Sequence, residues 1–293
     1  MSQPCLSGLP IFVLEQLLKQ CTLTSLFELS RCNRALNSVI RTLRYSPPTI
    51  DVLVKDYQTV VSVEKSLWIL QNRKNFGNYP SFNPVVDLKL GEFQVSMIRD
   101  DFYNEPLYQV FYDCHIELTA QFLSHLKELF PRTLKFNFKF EKLSEEVSSK
   151  VLEFLPLTDA ETLEMDDLQL SEMELRKVLG VLNVKTFKKD WSSLTNGDVN
   201  GVIEKFCRKE CEKLCYLSIG VRGLARFPIL AHPDRPQFFV TPEGERIDCT
   251  GGFDGARDDG TVYTVLLTPN RSSQLFQFMV WPREVVQGPV ERD

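Results

Sequence analysis

Among the side chains able to do chemistry, Cys207, Cys211 and Cys215 recur at i, i+4 and i+8. That spacing lines thiols along one helix face, where thiolates can hold zinc. Cys-x3-Cys-x3-Cys is not a usual zinc spacing, however. His232 is the only sequence-near fourth ligand, and Cys215 falls where a strand should begin. The thiols therefore read as small buried hydrophobes. Cys114-His115 is a nucleophile next to a base, but neighbours on a strand point to opposite faces and cannot touch. Gly251-Gly-Phe-Asp-Gly255-Ala-Arg-Asp-Asp-Gly260 lacks the lysine of a phosphate loop and the ligand ladder of a calcium loop, and reads as a mobile hairpin loop. No G-x-S-x-G, H-E-x-x-H or G-x-G-x-x-G occurs. No enzyme, metal or cofactor is expected.

The whole chain sets the same bounds. Its 293 residues allow one large domain or two to three smaller ones. Hydrophobic residues at 43% and charged residues at 25% are those of an ordinary globular protein. The net charge of −5 argues against a general polyanion or anionic-membrane binder. It is uneven. Residues 1–50 hold five basic and two acidic side chains, net +3, and the remaining 243 residues net −8. No apolar run approaches the roughly 18 residues of a membrane span, and no basic-then-apolar leader opens the chain. An intracellular protein, cytoplasmic or nuclear, with eight free cysteines is expected.

The elements that must position any site begin with a helical head. Pro10 suits a first helical position. Ile11, Val13, Leu14, Leu17, Leu18 and Cys21 follow as one broad apolar face. Ser25 and Glu28 have capping-box spacing and predict the start of a second helix carrying Leu26, Phe27 and Leu29. Leu36, Val39, Ile40 and Leu43 mark a third, closed by Tyr45-Ser-Pro-Pro48. About 36 residues cannot bury a generous core alone, so part of this surface should face a neighbour.

Leu9-Pro10-x-x-Val13-Leu14-x-x-Leu17-Leu18, followed by Leu26-x-x-Leu29-Ser30-x-Cys32-Asn33-Arg34, resembles the F-box. The resemblance implies that Leu9, Pro10, Val13, Leu14, Leu17, Leu18, Leu26, Leu29, Ser30, Cys32, Asn33 and Ile40 bind a Skp-type adaptor, and through it a cullin. Ala35-Leu36 stand where many F-boxes have tryptophan. A rival reading is a helix-turn-helix in which Arg31, Arg34, Arg41 and Arg44 meet phosphates; the chain is not basic in bulk, so no nucleic acid is expected.

Residues 49–112 read as mixed strand and loop, with β-like runs at 49–54, 59–63, 67–70 and 85–90. From Thr119 the chain becomes periodic. Helix starts at Thr119, Ser144, Ser171 and Asp198 are 25, 27 and 27 residues apart. Each helix is followed by a β-like stretch, the clearest being Leu134-Lys-Phe136-Asn-Phe138-Lys-Phe140. One strand and one helix per unit lies in the leucine-rich-repeat range, without that repeat's consensus Asn or Cys. Stacked units would present Lys135, Asn137, Lys139, Glu164, Asp166 and Lys185 as a polar row, either a target-binding surface or a solvated face.

After Gly223 the pattern turns to strands at 237–241, 246–250, 261–267 and 275–281. Arg257-Asp-Asp-Gly260-Thr-Val-Tyr-Thr-Val265 with Phe276-x-Phe278-Met-Val-Trp281, and Leu194-Thr-x-x-Asp198-Val-Asn200 with Leu214-x-x-Leu217-Ser-Ile219, resemble the nematode F-box-associated (type 2) domain, with Tyr263 replacing its usual alanine.

The expected fold is α+β: a three-helix F-box over 1–46, a mixed strand and loop segment over 47–112 that is either a connector or the start of the second domain, degenerate leucine-rich-repeat-like units over 113–283 ending in an antiparallel β segment, and a tail over 284–293. The expected function is a substrate-recognition subunit of an SCF-type ubiquitin ligase, binding an unidentified target protein and no membrane. The alternative is a repeat-like binding scaffold unrelated to ubiquitin.

Overall fold

The computed structural model describes residues 9–32, 34–43, 49–64, 66–74, 85–90, 93–100, 107–130, 134–157, 160–165, 170–180, 183–190, 192, 194–221, 236–270 and 273–282. The chain divides into two compact units, Met1–Phe138 with Glu146–Pro156, and Lys139–Glu145 with Leu157–Asp293. The fold is mixed α+β, and antiparallel pairings outnumber parallel ones.

The first unit opens with helices α1 (Ile11–Leu18), α2 (Leu23–Cys32) and α3 (Arg34–Thr42). Pro10 caps α1 from one position before it and is not its first residue; its carbonyl accepts the N–H groups of Val13 and Leu14 at 2.9 and 3.0 Å. Leu14 and Leu18, one turn apart, are buried. The second helix starts earlier than its Ser25–Glu28 spacing predicts. Thr22 holds its first turn, accepting the Ser25 N–H on its side chain at 3.2 Å and the Leu26 N–H on its carbonyl at 2.9 Å. Glu28 is drawn away to other partners, described below.

Strands β1 (Ile50–Lys55), β2 (Gln58–Val63) and β3 (Ser66–Asn72) form an antiparallel meander. Each buries alternate residues, as a half-covered sheet requires. The 49–112 segment holds three further strands, β4 (Val85–Leu90), β5 (Phe93–Asp100) and β6 (Leu107–Tyr112), giving the order β1-β2-β3-β6-β5-β4. These strands lie in the first unit. Helix α4 (His115–Leu129) packs on β2, β3, β4 and β6. It begins four residues before the expected Thr119, whose hydroxyl instead donates to the His115 carbonyl at 2.7 Å inside the helix. The start of β7 (Phe136–Glu141) and most of α5 (Glu145–Phe154) complete the unit.

The second unit places β8 (Ala160–Glu164), β9 (Thr186–Lys189) and β10 (Tyr216–Val221) side by side and parallel, joined through α6 (Glu172–Gly180) and α7 (Asn196–Cys207). Parallel neighbours need such crossovers. Ser171 and Glu174 make the expected capping box on α6, with bonds of 2.9 and 3.3 Å. On α7 the cap is Thr195, and Asp198 is the third-position acid that reaches back to it. The sheet continues antiparallel through β15 (Ser273–Val280), β14 (Val262–Asn270) and β13 (Phe253–Ala256). Phe206 of α7 packs on Tyr263 and Phe278. A hairpin of β11 (Phe238–Val240) and β12 (Arg246–Asp248) adds a cluster in which Phe239 meets Trp281 edge-on at 5.2 Å.

The glycine-rich stretch read as a mobile loop contains β13. Gly255 pairs with Tyr263, whose ring lies where a side chain at 255 would sit. Residues without bulk are needed there for packing, which a composition-based loop reading does not detect. The final segment, 284–293, lies outside the described residues.

Candidate functional site

The helical head divides its apolar residues between an inner and an outer set. Leu14, Leu18, Leu26, Ser30 and Ile40 are buried within the unit. Leu9, Val13 and Leu29 are half-buried, Pro10, Leu17 and Cys32 are exposed, and Asn33 lies outside the described residues. Ile11 and Phe12 are exposed at 64% and 67%, with Leu17 at 47%. Ile11 thus belongs to the part of the broad apolar face that is left uncovered within the unit, and Phe12 was not singled out at all. The signal was present: α1 carries apolar residues on more of its circumference than a two-leucine seam can cover.

The head is anchored on its own unit through α2. Phe27 is buried between Trp68 of β3 and Phe122 of α4, at centroid distances of 5.0 and 5.3 Å. Trp68 in turn stacks on Tyr108 of β6 at 4.1 Å. Glu28 accepts the Tyr108 hydroxyl at 2.7 Å and pairs with Arg99 at 3.3 Å. Arg41 of α3 is paired with Glu128 of α4 at 3.1 Å, and Arg31 lies over the Phe27 ring. The arginines of the phosphate-binding reading are thus partly engaged inside the protein; Arg34 is exposed, and Arg44 lies outside the described residues.

The strand row is split between the units. Lys135 and Asn137 belong to the first, where Asn137 donates to Asp51 at 2.8 Å. Lys139, Glu164 and Lys185 belong to the second. There Lys139 meets Glu164 at 3.5 Å and Lys185 meets Glu161 at 3.9 Å. Lys188, missed in the sequence, is flanked by Glu164, Glu243 and Glu245 at 3.8 to 3.9 Å. The last two belong to the turn of the β11–β12 hairpin, which no strand periodicity ties to the row. Asp166 lies outside the described residues.

The remaining chemical candidates resolve into structure. Cys207 is exposed at the end of α7, Cys211 is buried and Cys215 precedes β10. Burial pushes the Cys211 thiol up to about 11 and raises that of Cys215. No cluster able to hold a metal occurs among the described residues. Cys114-His115 lies at a helix start and not on a strand; the His115 ring bonds the Lys55 carbonyl at 3.0 Å. Asp259 is forked by Arg257 at 2.6 and 3.0 Å, and this guanidinium holds its carboxyl well below the usual carboxylate range.

Residues 6–46 match the F-box domain family. No curated protein and no solved structure matches the chain. F-box domains typically bind Skp-type adaptors, which link them to a cullin, and F-box proteins are in general substrate adaptors and not enzymes. The match thus points to an SCF-type, adaptor-binding substrate receptor in general. No helix among the described residues is long and apolar enough to cross a membrane.

Proposed function

We propose that the chain is a substrate-recognition subunit of an SCF-type ubiquitin ligase, docking a Skp-type adaptor through its N-terminal helices and a target protein through its second unit. The observation that carries this reading is the F-box match on a head whose first helix leaves Ile11, Phe12 and Leu17 exposed. Burying a large apolar side chain contributes roughly 1.5–3 kcal/mol before the costs of association. Pro10 and Cys32 are also exposed, while Leu14, Leu18, Leu26 and Ile40 set the shape of the helices from within. The net +3 of residues 1–50 favours an acidic adaptor surface.

The second unit resembles the nematode F-box-associated (type 2) domain in its Arg257–Val265, Phe276–Trp281 and Leu194–Ile219 segments. Its parallel strand–helix succession through β8, β9 and β10 is the feature behind the leucine-rich-repeat-like reading. Lys139, Glu164 and Lys185 would contribute to target contact there, with Lys188 among them. The chain itself would do no chemistry; tethering raises the target's effective concentration near a ubiquitin-loaded enzyme.

Co-purification with a Skp-type adaptor tests this. Phe12→Asp and Leu17→Asp change exposed residues and should abolish retention while leaving the melting temperature within a few degrees of wild type. Folded wild type that retains no adaptor would overturn the proposal. Partners that persist in Leu17→Asp would be those of the second unit.

A further inference from the structure

Helix α4 carries His125 beneath the F-box helices. Its ring meets Phe27 of α2 edge-on, with centroids 5.4 Å apart at 87°. Its Nε2 is buried with no hydrogen-bond partner among the described residues. A neutral imidazole can occupy such a place at modest cost. An imidazolium is disfavoured there, because an N–H at the buried Nε2 finds no acceptor among the described residues.

The charged surroundings are mixed. Arg31 of α2 and Arg41 of α3 oppose a further positive charge, whereas Glu128 of α4 favours it but is committed to Arg41 at 3.1 Å. Glu28 of α2 is held by Tyr108 and Arg99. The strands beneath contribute Trp68 of β3, in contact with Phe27, and Tyr108 of β6, stacked on Trp68. Among the described residues, Glu28 and Glu128 are thus both committed to other partners.

We propose that His125 is a protonation-sensitive latch on the F-box helices: neutral, it lets α2 close on α4 through Phe27, and protonated, it drives that contact open. Burial, reinforced by the two guanidiniums, holds the imidazole below its ordinary value against the pull of Glu128. The opened state therefore takes up the proton first. Closure is complete above the ordinary histidine value of about 6.5 and weakens as pH falls through it, by at most about tenfold per pH unit for one proton. The latch concerns the closure of the head on its own unit, so it goes beyond adaptor binding and does not depend on it.

Hydrogen–deuterium exchange of the full chain between about pH 7.5 and 5.5, corrected for intrinsic exchange rates, reads this directly. Opening of α2 in wild type should rise by up to about tenfold per unit below pH 6.5. His125→Phe and His125→Gln should flatten that rise, and His115→Gln should retain it. A wild type without the rise, or a rise kept by both His125 variants, would overturn the proposal. If neither variant folds, the wild-type His125 ring resonance decides: a midpoint below that of free histidine supports the latch, and one at or above it overturns the latch.

Discussion

The Tyr108 hydroxyl donates to the Glu28 carboxylate at 2.7 Å, joining a helix of the F-box to a strand eighty positions further along. A hydrogen bond to a charged group contributes more than a neutral one. Glu28 is 39% exposed and shared with Arg99, so its net contribution here is about 1 kcal/mol. Tyr108→Phe should lower stability by about that amount, and Glu28→Gln/Tyr108→Phe by less than the sum of its parts. Urea denaturation of the three variants measures both.

Next to it, Phe27 fills the space between Trp68 and Phe122 with 2% exposure. Phe27→Ala should cost about 3–5 kcal/mol through lost contacts and the cavity left behind. Because the cavity lies between α2 and the sheet, protection of β3 and α4 should fall together with that of α2. Exchange confined to the helices would mean the head unfolds separately. The same packing predicts that deleting residues 1–46 exposes the sheet's core and yields aggregation, so point variants are the cleaner probes of the head.

Much of this was legible from periodicity. The β-like runs at 49–54, 59–63, 67–70 and 85–90 correspond to β1, β2, β3 and β4, and Ser171 with Glu174 became a working cap. What was not legible depended on distant partners. Ser25–Glu28 has capping spacing, but Tyr108 and Arg99 take the Glu28 carboxylate and Thr22 holds the turn. Ile11 fits an apolar helical face by sequence and yet stands in solvent, because burial depends on what surrounds the helix. Lys188 gains its place from Glu243 and Glu245, supplied by a hairpin more than fifty residues away.

Gly255 and Tyr263 form a pair in which one residue makes room for the other. A Cβ at 255 would overlap the Tyr263 ring, which also packs against Phe206 and Phe278. Gly255→Ala should cost roughly 1–3 kcal/mol by overpacking. Gly255→Ala/Tyr263→Ala should recover part of that loss relative to the single changes added together, and a double-mutant cycle by thermal unfolding checks the sign of the coupling.

Thiol reactivity should follow exposure. Cys32 and Cys207 are exposed, whereas Cys211 and Cys249 are 3% and 0% exposed, and burial raises the Cys211 thiol to about 11. Iodoacetamide at neutral pH should therefore label Cys32 and Cys207 first and reach Cys211 and Cys249 only after urea is added. Mass spectrometry of the labelled peptides tests this; early labelling at Cys211 would show that the turn after α7 opens readily.

Asp198 links two helices of the second unit and should make its stability depend on pH. Its carboxylate accepts from Arg176 of α6 at 2.6 Å and from the Thr195 N–H at 2.9 Å, closing the cap of α7. The Arg176 hydrogen bond is the largest influence holding its pKa down, to about 2. A carboxyl depressed in the folded state contributes stability that is fully present above the ordinary aspartate value of about 3.9 and is lost as pH falls toward 2. The shift corresponds to at most about 2 kcal/mol at neutral pH. Asp198→Asn keeps an oxygen for the cap and should lose the acid-dependent part alone, Arg176→Met should lose most of the same part, and Asp198→Ala should lose about 1 kcal/mol more through the cap. Chemical denaturation of the three variants at pH 7 and pH 3 separates these contributions: the variants should differ from wild type at pH 7 and converge toward it at pH 3, and an Asp198→Asn gap unchanged by acid would place the bond's contribution in packing and not in charge.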